Sequence, residues 1–305
     1  MTCLSILLIC ALCFTGCDKA DGGSGSKGSD TTKNEAGSRG STLNVLKWDA
    51  PGNEVNANEL ATIDYSNASE GYICVKYTGS NSKVKLQITT PGQTTYTFSM
   101  HEGYQAFPLT DGSGSYHIAV FENVSGDQYS TAIAADVVAD IKNEFGAFLY
   151  PNQYVDFSNS TKCISLSEEL AKSANSDLEV VEKVYDYLLD NFSYDYDKAN
   201  TVESGYLPDV DATLSAKKGI CFDYAAVMAT MLRVQQIPTR LEVGYVGDVY
   251  HAWISIYTDE TGWINGLIEF NGKKWEMMDP TFASTSKTPE KFVPTTGKYL
   301  LKYVY

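Results

Sequence analysis

A thiol, an imidazole and a carboxylate stand in the order Cys221, His251 and Asp279, a complete set of parts for acyl transfer through a thioester. A cysteine attacks an amide carbonyl as thiolate, and a free thiol near pKa ~8.5 is mostly protonated at neutral pH. The sequence supplies help in two forms. Cys221 opens an apolar helical run, so unpaired N–H groups of the first turn would lend it partial positive charge, and Gly219 just before it would let the backbone turn into that helix. His251 is the one histidine in the second half of the chain, so a thiol–imidazole pair within this region must use it. Asp279, followed by Pro280, is suited to hold the second ring nitrogen of His251. Each residue has a plainer role alone: a packed cysteine, a strand histidine beside Trp253, a turn aspartate before proline. The folded part has no CxxC, no HExxH and no second histidine near His251, so no metal site or cofactor is expected.

These residues need elements to carry them. Ala225, Ala226, Met228, Ala229, Met231 and Leu232 form a strongly apolar helix running to about Gln235 and ending before Pro238. Strands follow over residues 240–246, 250–257, 266–270 and 274–279, with turn signals at 259–262 and at Asn271-Gly272. A helix followed by an antiparallel sheet is an α+β arrangement. Upstream, Ser176 and Glu179 have capping-box spacing, and Leu178, Val181, Tyr185, Leu188 and Phe192 recur on one helical face. Residues 193–215, polar and tyrosine-rich with Gly205 and Pro208, are expected to be irregular and near the mouth of the site.

The first 140 residues have a different texture. Residues 4–14 are apolar, the length of a signal-peptide core and well short of the ~20 residues needed to span a bilayer. The run ends Phe14-Thr15-Gly16-Cys17, which resembles the lipobox of bacterial lipoproteins; that implies a leader over 1–16 and lipid on Cys17. Residues 17–42, rich in Gly, Ser, Asp and Lys, are expected to be a flexible tether of roughly 25–30 Å. Short β-rich runs at 73–78, 83–89, 94–100 and 116–122, broken by turn formers, point to a small β-sandwich over 43–140. His101 and His117 lie there, one bordering a turn and the other on a strand, with no acidic or cysteine cluster alongside, and are read as structural. Removing the leader leaves Cys74, Cys163 and Cys221, an odd number, with Cys74 and Cys163 free to pair if the fold brings them close. A formal net charge of −15 disfavours nucleic acid and anionic lipid surfaces as partners.

The local sequence around the three reactive residues resembles the transglutaminase-like superfamily, a branch of papain-like cysteine chemistry. The resemblance spans roughly residues 177–281 and rests on Gly219-Ile220-Cys221-Phe222-Asp223-Tyr224-Ala225, on the Met231-Leu232-Arg233 to Ile237-Pro238-Thr239-Arg240 helix exit, on Gly244-Tyr245, on His251-Ala252-Trp253 and on Asp279-Pro280-Thr281. It implies a catalytic domain over 141–305 in which Cys221 is the nucleophile, His251 the general base and acid, and Asp279 the residue that orients His251. It also implies an oxyanion site made by the Cys221 backbone N–H and an upstream group, with Tyr194 and Tyr206 in the right region. The expected protein is a lipid-anchored, extracytoplasmic enzyme acting on protein or peptide amides at the cell surface, as a peptidase or amidase if water releases the acyl group and as a cross-linking transferase if a lysine amine does. Two rivals follow from the same residues: a binding or adhesion module that keeps the fold without the chemistry, and a thiol redox sensor. An activated Cys221 should alkylate well below pH 8 and lose that behaviour in His251→Ala.

Overall fold

Alternating apolar residues in the first half of the chain assemble two four-stranded antiparallel sheets. The computed structural model describes residues 36–246, 248–270, 275–276 and 299–305; Cys17 and Asp279 lie outside the described residues. Strands β1 (Val55–Ala57), β2 (Ala61–Asp64), β3 (Tyr72–Tyr77), β4 (Val84–Thr89), β5 (Thr95–Ser99), β6 (Tyr104–Pro108), β7 (Gly114–Ser125) and β8 (Gln128–Ala139) pair in the orders β1-β2-β3-β6 and β5-β4-β7-β8. Ile63, Ile73 and Phe107 of one sheet and Leu86, Phe98, Ile118 and Val120 of the other share one apolar core, which is the expected sandwich. β3 is more buried than its alternation implies. Its outward Cys74 is covered by Trp48, Ala50 and Tyr150, and its thiol donates to the Asp49 carbonyl at 3.2 Å. Cys74 and Cys163 are both free, so the possible disulfide between them is not formed.

The helical half contains α1 (Cys163–Ala171), α2 (Asp177–Asn191), β9 (Ser193–Tyr194), α3 (Tyr196–Thr201), α4 (Val210–Ala216), β10 (Lys218–Gly219) and α5 (Cys221–Arg233). Ser176 caps α2 by accepting the Glu179 N–H at 3.2 Å, as its spacing implies. The 193–215 stretch is less irregular than expected: Asp195 and Asp209 accept backbone N–H groups at the starts of α3 and α4 and nucleate two short helices. The chain ends in β11 (Thr239–Val246), β12 (Val249–Thr258), β13 (Gly262–Phe270), β14 (Trp275–Glu276) and β15 (Tyr299–Val304), ordered β14-β13-β12-β11-β15. α5 packs on β11 and β12, with Met228, Met231 and Leu232 fully or almost fully buried. Its last residue, Arg233, is fully buried and donates to the carbonyls of Thr239, Tyr150 and Tyr305, joining the helix to the sheet; burial lowers its pKa to about 9.

Residues Glu35–Tyr305 form one compact unit. The end of the expected tether belongs to it. Arg39 donates to Asp177 at 2.7 Å and to the Gln235 carbonyl at 2.7 Å, and Thr42 donates to the same carbonyl. These specific bonds offset the ordering entropy that the composition of residues 36–42 alone could not.

Candidate active site

Cys221 is the first residue of α5 and remains partly exposed. The backbone N–H groups of Ala252, on β12, and of Phe222, in the first helical turn, lie near enough to its sulfur to favour the thiolate. The fold therefore seats the thiol against Ala252, the strand residue that directly follows His251. The electrostatic result differs from the expectation of a depressed thiol pKa. Burial is the largest influence and pushes the Cys221 thiol up, the two N–H groups pull it back, and the Asp223 charge adds to the rise.

The turn before Cys221 is held by a buried carboxylate. Asp223 is fully buried and accepts the Ile220 N–H at 2.8 Å, the Lys198 ammonium at 2.7 Å and the Tyr206 hydroxyl. A side chain at Gly219 would place its Cβ 2.8 Å from the Asp223 Cβ and 2.9 Å from its Oδ2. The glycine is thus required for close approach of this carboxylate rather than for the sharp turn expected from the sequence. β10 pairs with β9 in parallel, setting Gly219 opposite Tyr194. The Tyr194 hydroxyl meets the backbone N–H of Cys221, and burial, with the Cys221 charge adding, pushes its pKa up to about 12. It is a neutral phenol at pH 7, able to donate. The two candidate tyrosines separate: Tyr194 lies at the nucleophile, whereas Tyr206 serves Asp223.

His251 is 7% exposed and sits on β12 opposite Gly244. Its ring stacks on Trp253 with centroids 6.5 Å apart. Trp253 Nε1 donates to Glu242 at 2.5 Å, and the Ser255 hydroxyl donates to the same oxygen at 2.8 Å. Glu242 is 5% exposed; burial raises its pKa against the pull of these two bonds and of Arg240. This carboxylate is a supporting residue that the sequence reading missed. Its signal is a charge between Leu241 and Val243 in a strand otherwise bound for the core. At Gly244 an added Cβ would lie 2.1 Å from the Leu300 carbonyl and 3.0 Å from the Trp253 ring. Among the described residues no cluster of three or more His, Cys, Asp or Glu side chains could hold a metal ion.

Residues 164–266 match the family model of the Transglutaminase-like superfamily. This stretch is a transglutaminase-like domain. The matched span contains both Cys221 and His251 and starts within α1, earlier than the local motifs indicated. Among curated proteins, the UPF0252 protein MJ1282 of Methanocaldococcus jannaschii is 26% identical over 223 residues, 66% of this chain and 62% of that protein. The chain therefore spans about three fifths of that relative's length. Among solved structures, a candidate cysteine protease from Cytophaga hutchinsonii aligns over 83% of this chain and 73% of its own at 15% identity and a TM-score of 0.36. Red sea bream transglutaminase aligns over 69% and 48% at 14% identity and a TM-score of 0.24. The α+β class and the transglutaminase-like domain preceded by a strand-rich region agree with the sequence expectation.

Proposed function

We propose that this chain is a lipid-anchored, extracytoplasmic enzyme that transfers acyl groups from protein or peptide amides through a thioester on Cys221. The observation that carries this reading is the placement of the Cys221 sulfur at the start of α5 against the Ala252 N–H, one residue beyond His251, within a transglutaminase-like domain. In the proposed cycle His251 takes the thiol proton as sulfur attacks the amide carbon. The carbon–nitrogen bond then breaks, and His251 returns the proton to the departing amine. Water or a lysine amine next attacks the thioester, gives its proton to His251 and frees the thiol. Because burial raises the resting thiol's pKa, proton removal accompanies attack and His251 acts as a true general base. Asp279 is assigned the task of orienting His251. The Cys221 N–H and the Tyr194 hydroxyl would meet the carbonyl oxygen as it gains charge.

The test is incubation of the purified ectodomain with a Gln-containing peptide, with and without an amine donor, followed by mass spectrometry. Cleavage, deamidation and amine incorporation identify peptidase, amidase and transferase chemistry. Failure to form any product beyond that of Cys221→Ala would end the enzyme reading. The lipid anchor is tested separately, by incorporation of labelled fatty acid that Cys17→Ala abolishes. One observation favours a second reading. A thiol whose pKa is pushed up is what a binding module that retained the fold without the chemistry would carry. For that module the peptide would bind and leave unchanged.

A further inference from the structure

The chain contains 21 tyrosines, against 12 phenylalanines and 4 tryptophans, and the proposed chemistry uses one of them. One of the others, Tyr250, lies near Cys221. In the C-terminal sheet Tyr245 stands opposite Tyr250 on β12 and opposite Leu300 on β15. Directly opposed residues share a sheet face, so the three side chains form a row across neighbouring strands. Two positions further along the same face come Val243 and Ala252, both buried in the core to which α5 contributes. The row thus continues the face of Val243 and Ala252 along β11 and β12. There it loses its cover: Tyr250 is 56%, Leu300 54% and Tyr245 37% exposed. The Tyr245 and Tyr250 rings meet edge to face at 5.3 Å, and the Tyr250 phenol is close enough to Cys221 for their charges to interact. Tyr194, also near Cys221, and the exposed Tyr196 make a second aromatic contact with centroids 5.0 Å apart.

Apolar side chains left open in a row beside a nucleophile mark a place for something apolar to bind. We propose that Tyr245, Tyr250 and Leu300 form the subsite for an aromatic or bulky aliphatic side chain of a peptide substrate, adjacent to the carbonyl that Cys221 attacks. This rests on the acyl-transfer reading and names the substrate class for it. Three strands at about 4.8 Å spacing make a platform about 10 Å across, room for one large side chain and its flanking backbone. The net charge of −15 works against an acidic side chain there.

The full chain carrying Cys221→Ala is titrated with fluorescein-labelled peptides that are identical except for Phe, Leu, Gly or Glu next to the glutamine, and binding is read by anisotropy. The Phe and Leu peptides should bind at least about tenfold tighter than the Gly peptide. Adding Tyr250→Phe should keep that preference, because the ring supplies it. Adding Tyr250→Ser, or Tyr245→Ser as an independent variant, should bring it to within about twofold. Equal binding of all four peptides, or a preference that both serine variants retain, overturns the subsite. So does concentration-dependent dimerisation abolished by Tyr250→Ser without any peptide preference, since the row would then be an interface between copies. The same peptides are offered to the protein with Cys221 intact. Preference in binding with no turnover leaves the subsite standing and removes the acyl-transfer reading, whereas turnover without preference does the reverse.

Discussion

Among the described residues two helices begin with a cysteine, and only one of these thiols stands where chemistry can occur. Cys163 opens α1 and Cys221 opens α5, so both thiols lie in the favourable field of a helix N-terminus. Both also have an aspartate charge nearby, Asp211 and Asp223. Cys163 is fully buried, and burial, with Asp211 adding, pushes its pKa to about 12. Cys221 is partly exposed, lies near the Ala252 N–H of β12, and lies near Tyr194. A helix start is a repeated feature of any fold. What differs at α5 is an access path and partners contributed by other elements.

The largest expected effect breaks the comparison outright. Cys221→Ala should lower turnover of a Gln peptide by at least about 1,000-fold, because the bond-forming atom is gone. Cys163→Ala should leave turnover within about twofold, while lowering stability by roughly 1–2 kcal/mol through the cavity left in the α1 core. Equal losses of activity would show that α5 is not special. Alkylation gives the next largest contrast. In native protein iodoacetamide should label Cys221 on the order of 100-fold faster than Cys163 or Cys74, whose thiols are reached only when the structure opens. Peptide mapping after brief labelling reads this directly.

Part of this contrast was legible in the residues. Cys221 before an alanine- and methionine-rich run, His251 beside Trp253, and the turn at Gly262 all specify local structure, and α5, β12 and β13 formed accordingly. Cys163 is not legible as a helix start, because Ser158, Asn159, Ser160 and Thr161 are all cap-forming types that single out no one boundary, and the residue that precedes α1, Lys162, makes no side-chain cap. Glu242 was unreadable for another reason: its role depends on the register that sets it opposite Trp253, and register is a tertiary fact. The supposed turn role of Gly219 failed likewise. The glycine yields space to a side chain four positions on, which backbone propensity cannot foresee.

Alkaline pH sharpens the same contrast through stability. Cys74 and Cys163 both titrate near 12 in the folded protein, above the ordinary thiol value near 9, because burial disfavours the thiolate. The unfolded chain releases these protons first as pH rises, so the folded state is penalised: their contribution is fully present below about pH 9 and declines from there towards pH 12. The loss is roughly 3–4 kcal/mol per thiol at the upper end. Urea denaturation at a series of pH values should therefore show an alkaline slope that Cys163→Ala flattens. The Cys221 thiol is raised as well, so its alkylation rate should keep climbing above pH 9. A plateau already reached below pH 8 would reveal a preformed thiolate and contradict the burial-dominated site.

The smallest expected effect concerns the network that only the α5 start possesses. Lys198, on α3, donates to the buried Asp223 at 2.7 Å, and its ammonium lies 4.3 Å from the centre of the Tyr206 ring. Burial pulls the Lys198 pKa down, but its hydrogen bonds to Asp223 and Tyr206 outweigh this and raise it. Lys198→Met removes the charge and keeps most of the stem, leaving a buried carboxylate with the Ile220 N–H and Tyr206 as partners. Breaking a fully buried pair costs about 3–5 kcal/mol; Lys198 is 29% exposed, so about 2 kcal/mol is expected, or a fall in Tm of about 4–8 °C. Because Asp223 fixes the turn that aims Cys221, and α3 follows directly on Tyr194, the variant should also lower kcat about tenfold with little change in KM. Lys198→Arg should recover most of both losses. The matching change at the α1 start is Asp211→Asn, which disturbs the carboxylate accepting the Lys162 N–H at 2.8 Å. It should cost under about 1 kcal/mol and leave kcat alone. A fall in stability without any fall in kcat in Lys198→Met would reduce the network to a structural brace and make the two helix starts more alike than their surroundings imply.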